Sequence, residues 1–210
     1  MPTRALFSLL FAASAVSVPA AAPRFTFIDP ANPEVAAIRQ SGESAAGQIG
    51  QRLVTELTAA MNAGGPEKAV EVCHTKALAL TAQPLSELPH VTAVKRTSLK
   101  VRNPANAPDP AERVALDHVA SLIRDGEPAP AVLVQKIETA QAEPEWRVYR
   151  SVTIQPACLA CQGSTDAQSS ALRTLLRERY PHDSATGYAV GDWRGLIRVT
   201  VRPDTATPAR

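Results

Sequence analysis

The sequence predicts an α+β fold, a mostly antiparallel sheet flanked by helices, on three observations. Ile49, Leu53, Leu57 and Met61 recur every fourth residue, as one face of a helix requires. Residues 131–139 and 145–154 are rich in β-branched and aromatic side chains and flank Gln141-Ala142-Glu143-Pro144, the pattern of a hairpin. Leu196 to Val201 supplies a late strand.

In chain order, the first segment carries Arg4, an apolar stretch from Ala5 to Val18 and the small-residue run Pro19-Ala20-Ala21-Ala22. This is the make-up of a secretory signal peptide, assigned to residues 1–20. The apolar stretch is shorter than the roughly 20 residues that cross a bilayer, and no later segment is longer, so a periplasmic mature chain without a membrane span is expected. Residues 21–42 are rich in Pro and Ala without a sustained period and are expected to form an extended arm. One domain is then expected over residues 43–205.

Gly64-Gly65 is expected to end the first helix and Pro66 to open a second, with Ala69, Cys73, Ala77 and Leu80 facing inward. Val94 to Arg102 alternates like a strand, placing Thr97, Leu99 and Val101 on one face and Arg96, Ser98, Lys100 and Arg102 on the other. After a loop over residues 103–108, Asp109-Pro110-Ala111-Glu112 reads as a capping box opening a third helix that stops near Asp125-Gly126. Thr165-Asp166 is expected to cap a fourth helix with Leu172, Leu175 and Leu176 inward, before a loop from Tyr180 to Gly191.

The composition fits one globular domain: 45% hydrophobic and 20% charged residues, with only 4% aromatic, so Trp146 and Trp193 are expected to be large core pieces. A formal charge of +2, with both signs evenly mixed, excludes an electrostatic footprint for nucleic acid. No nucleophile elbow, phosphate-binding glycine loop or HExxH motif is present, and the CxxC lacks a thioredoxin-like βαβ setting, so a non-enzymatic protein is expected.

Three cysteines carry the chemistry: Cys73, Cys158 and Cys161. In an oxidising compartment an odd number needs explaining. Cys158-Leu159-Ala160-Cys161-Gln162 brings two sulfurs together, which suits a disulfide, half of a zinc site, or two thioether bonds to haem vinyl groups. Taken alone, these five residues favour the disulfide, because Gln162 is a poor iron ligand.

Several separated segments together resemble one family. They are Ala69 to Cys73, Arg96 to Pro108, Cys158 to Gly163, and Tyr180 to Tyr188 with Gly191 to Gly195. In this order they resemble the Tll-type haem c sensor family, a domain with a PAS-like fold. The resemblance implies covalently held haem c, with Cys158 and Cys161 as thioether positions and two axial ligands. One ligand is the His of a CxxCH motif, where this chain has Gln162. The other is an upstream cysteine that matches Cys73, a residue whose bland alternative is a small buried hydrophobe.

The resemblance also implies a redox or gas sensor, with electron transfer as a further role. The sequence carries no kinase, methyl-accepting or membrane segment, so signals are expected to pass to a separate protein. Arg96, Lys100 and Arg102 would then hold the haem propionates by charge-assisted bonds, against the alternative of a solvated strand face. Gln162 leaves three outcomes open. Haem binds with Cys73 and water or another histidine, His74 or His182. The cavity binds another small ligand beside a Cys158–Cys161 disulfide. Or the three cysteines and a histidine form a zinc site.

Overall fold

The computed structural model describes residues 21–82, 88, 90–140 and 142–203, so the signal segment lies outside the described residues. In chain order the strands are β1 (Arg24–Ile28), β2 (Val91–Thr97), β3 (Val132–Thr139), β4 (Ala142–Thr153) and β5 (Trp193–Val201). The helices are α1 (Ala36–Thr75), α2 (Ala77–Ala82), α3 (Pro110–Arg124), α4 (Leu159–Gln162) and α5 (Ser170–Arg179). The strands form one antiparallel sheet of order β1-β3-β4-β5-β2, flanked by the helices, which is the expected α+β class.

Successive strand residues point to opposite faces, and the sheet is apolar on both. On one face Val134, Val148 and Val199 pack against Ile38, Ala45 and Ala46 of α1. On the other, Leu133, Tyr149 and Leu196 pack against Ala115, Leu116 and Val119 of α3. Each fully buried side chain of this kind contributes about 1.5–3 kcal/mol, so the two layers together fix the helices on the sheet.

The capping box of α3 forms as expected. Asp109 accepts the Glu112 amide at 2.8 Å, and Glu112 accepts the Asp109 amide at 2.9 Å. Glu112 is then fully buried, held by Lys95 at 2.8 Å and Arg198 at 3.0 Å. Trp146 packs against the α1-side core and Trp193 against the α3-side core, both partly buried.

Several boundaries differ from expectation, β2 beginning at Val91 and β5 at Trp193 among them. The arm over residues 21–42 is not extended throughout: Arg24–Ile28 pairs with β3, and α1 starts at Ala36 after a 3-10 turn capped by Asn32. Phe25 and Phe27 alternate as a strand requires, and Asn32-Pro33 is a helix-start signal hidden in the Pro/Ala-rich composition. β2 stops at Thr97, because Ser98 Oγ donates to the Lys100 carbonyl at 2.8 Å and closes a bend. β4 opens at Ala142, opposite Thr139, so Pro144 lies within a strand. Ser169, not Thr165-Asp166, caps α5, accepting the Leu172 amide at 3.0 Å.

The first two expected helices are one long helix broken at Gly64 and Gly65, where φ is −173° and +70°. Pro66 restarts it, as its place at a first turn allows. Among the described residues, no helix is long and apolar enough to cross a membrane.

Candidate functional site

The break in α1 gives its final turns a direction of their own. Val70 packs against Leu172, Leu176 and Tyr180 rather than on the sheet. Cys73, one turn later, joins the wall of a cavity of about 250 Å³ between these turns, the end of the sheet and α4. Leu57, Met61 and Val70 make that wall apolar, while Arg96, Cys158, Cys161 and Gln162 enter it from elsewhere in the sequence.

The two-cysteine segment is held from behind. Pro156–Cys158 forms a 3-10 turn that continues into α4. Arg102 Nη2 donates to the carbonyls of Cys161 at 2.6 Å and Ala185 at 3.1 Å, and its Nε donates to Asp183 at 2.9 Å. The Gln162 carbonyl accepts the Tyr188 amide at 3.0 Å, and the Gly163 carbonyl accepts the Gly187 amide at 2.9 Å. The loop after α5 therefore clamps the backbone of the CxxC turn.

Arg96, Lys100 and Arg102 do not share the strand face expected of them, since β2 ends before the last two. Arg96 reaches the cavity, and its buried Nε has no hydrogen-bond partner among the described residues. Arg102 borders the cavity but is committed to Asp183 and the two carbonyls. Lys100 does not line it: its Nζ donates to the Thr186 carbonyl at 2.7 Å and sits 4.3 Å from the centre of the Tyr188 ring.

A residue that sequence reasoning missed, Arg194, takes a place on the wall. The β4–β5 register slips between Val152, opposite Gly195, and Thr153, opposite Trp193, leaving Arg194 as an extra residue. A bulge of this kind re-aims a side chain. Gly195, at φ +148°, is required beside it, because a Cβ there would lie 2.4 Å from the Thr97 carbonyl oxygen. Arg194 donates to Ser98 Oγ and lies 5.4 Å from the centre of the Tyr188 ring, while its buried Nε has no partner among the described residues. The only sequence signal was Gly-Asp-Trp-Arg-Gly, whose glycines mark an irregular strand start.

Burial sets the charge states. It pushes the Cys73 thiol above its ordinary value, against the pull of Arg96 and Arg102. It pushes Cys161 up to about 11, opposed by Arg102. Both are neutral thiols near pH 7. Burial lowers the Arg96 guanidinium, with Cys73 and Tyr180 opposing, yet arginine remains a cation.

All three cysteines are free, so the Cys158–Cys161 disulfide is not formed in this structure. Among the described residues, no group of three or more His, Cys, Asp or Glu side chains is placed to hold a metal ion, so the four ligands of the zinc reading are not brought together here. His74 is exposed and lies edge-on to Tyr180 at 5.3 Å; His182 is exposed, and neither lines the cavity.

Residues 31–202 match the Tll0287-like family. No curated protein matches the chain. Among solved structures it is similar to one described as the crystal structure of the cyanobacterial heme-protein Tll0287, with 22% identity and a TM-score of 0.46. The alignment covers 85% of this chain and 100% of that one.

Proposed function

From the premise that this chain belongs to the Tll0287-like family, we propose that it is a periplasmic, PAS-like haem c module of sensor or electron-transfer type, without enzymatic activity. One observation carries the reading. A single cavity gathers Cys73, Cys158, Cys161 and the buried cation Arg96 from segments far apart in sequence.

The residues present fit the group. The thiols of Cys158 and Cys161 are the nucleophiles that thioether attachment needs, and the apolar wall of Leu57, Met61 and Val70 suits a flat hydrophobic ring. The unpaired Nε of Arg96 is a buried donor that a carboxylate would satisfy. A bound haem supplies an iron centre able to change oxidation state or take a small gaseous ligand.

The chain's own residues set the terms for that centre. Burial keeps Cys73 Sγ protonated; were haem bound, the thiol would have to release its proton to solvent to serve as an anionic ligand. Arg96 would offset the charge of that thiolate. Gln162 occupies the wall where the family resemblance places an imidazole, and an amide donates too weakly to replace it. Arg102 fixes the carbonyl of Cys161 and so the direction of α4. Export by a cleaved signal and transfer of the signal to a separate protein belong to the same proposal.

The test is the absorption spectrum of protein purified from the periplasm. A Soret band that persists after acid–acetone extraction, with a haem-sized mass addition and an N-terminus near Ala21, is expected. A colourless protein of unmodified mass overturns the haem assignment. Gln162→His is expected to raise haem loading and shift the spectrum toward imidazole ligation.

A further inference from the structure

The partly buried arginines around the core and the cavity fall into two groups. Arg102, Arg147 and Arg198 each meet a protein carboxylate: Asp183 at 2.9 Å, Asp109 at 2.8 Å and Glu112 at 3.0 Å. Arg96 and Arg194 meet none among the described residues, and each keeps a buried Nε without a hydrogen-bond partner. Both line the same cavity, Arg96 beside Cys73 and Tyr180, and Arg194 over Tyr188 at the start of β5. Asp183 acts on Arg194 only from a distance and is already paired with Arg102. A largely buried charge without a directly paired counter-ion is costly, and burial lowers both guanidinium values from their ordinary level.

We propose that Arg96 and Arg194 are the acid-recognising residues of this cavity, and that its ligand carries carboxylates that take the place of the missing protein ones. The bulge that aims Arg194 and the glycine that lets β5 approach Thr97 serve this arrangement. Ser98 and Tyr188 orient the Arg194 guanidinium, which leaves its remaining donors directed by neighbours rather than by solvent. Arg102 has no part in it, since its donors are spent on Asp183 and two carbonyls. The proposal deepens the haem reading but depends only on carboxylate chemistry, whether from haem propionates or from a free small acid.

The experiment uses the full chain produced in a haem-deficient host. It compares metal-free protoporphyrin IX with its dimethyl ester by fluorescence titration, and succinate as competitor. The free acid is expected to bind roughly tenfold or more tightly than the ester, the size of effect that one or two charge-assisted bonds give. Arg194→Gln and Arg96→Gln are expected to erase that preference, and Arg194→Lys to keep part of it, with circular dichroism confirming that each variant folds. Competition by succinate assigns the site to small free acids; its absence assigns it to the tetrapyrrole. Equal binding of acid and ester, with no succinate effect, overturns the proposal, and the wild-type comparison needs no variant. A chain that never carries covalent haem but prefers the free acid rejects the haem reading alone. A haem-loaded chain that ignores the carboxylates rejects this inference alone.

Discussion

Arg102 donates to the carbonyl of Cys161 at 2.6 Å and to the carboxylate of Asp183 at 2.9 Å, so one guanidinium joins the CxxC turn to the loop behind it. The two side chains are only 15% and 10% exposed. Breaking such a pair from one side leaves a buried charge alone. Arg102→Gln is therefore expected to lower stability by about 3 kcal/mol, measured by urea unfolding. Adding Asp183→Asn should return part of that loss; a single-variant cost near zero would show that the tie carries no weight.

Stability should fall in acid through Asp109. Burial alone would raise its carboxyl, but the Glu112 amide and Arg147 outweigh burial and hold it below the ordinary value. The unfolded value is about 3.9, so the stabilisation is complete above that pH and fades as pH falls through the lower folded value. Denaturation midpoints measured from pH 6 down to about 2.5 should drop for the wild type and drop less for Asp109→Asn. Identical slopes would remove Asp109 from the account.

Gly42 sets how closely α1 lies on the sheet. A Cβ at this position would sit 2.3 Å from Val148 Cβ, and Val148 is fully buried in β4. Overpacking of this kind costs about 2 kcal/mol, whereas alanine in an exposed helix would gain nearly 1 kcal/mol over glycine. The sign of the Gly42→Ala change in urea unfolding thus reports the contact: destabilisation is expected, and stabilisation would mean that the helix stands off the sheet.

Thiol labelling reads the cavity directly. With burial raising Cys161 to about 11, iodoacetamide at pH 8 should modify it roughly a hundredfold more slowly in the folded haem-free chain than in urea, from thiolate fraction alone. Cys73, pushed up by the same cause, should also be slow. Three modified cysteines after denaturation, counted by mass, are expected. Rapid labelling of Cys161 in the native chain would contradict its burial.

The helices on the sheet, the capping box at Asp109 and the hairpin were legible because their signals are local: a period near 3.6, a period of 2, or a cap three residues from its partner. The inward position of Cys73 was legible for the same reason. Strand β1 and the start of α1 were hidden by Pro- and Ala-rich composition. The arginines of the site were harder still. Alternation assigned Lys100 and Arg102 to one face with Arg96, but the strand ends at Thr97, and a bend after it sends both residues to the Asp183–Tyr188 loop. Arg194 reaches the cavity only because the β4–β5 register slips, and a register slip depends on two distant strands at once.

The interruption at Gly64 and Gly65 has a mechanical outcome. It frees the last turns of α1 from the axis of the first part, and Val70 ties them instead to Leu172, Leu176 and Tyr180. The sulfur of Cys73 therefore takes its position from α5 and the loop that follows, while the opposite wall, with Arg96 and Arg194, takes its position from the sheet. A molecule lodged between them would touch groups positioned by the α5 cluster on one side and by the sheet on the other.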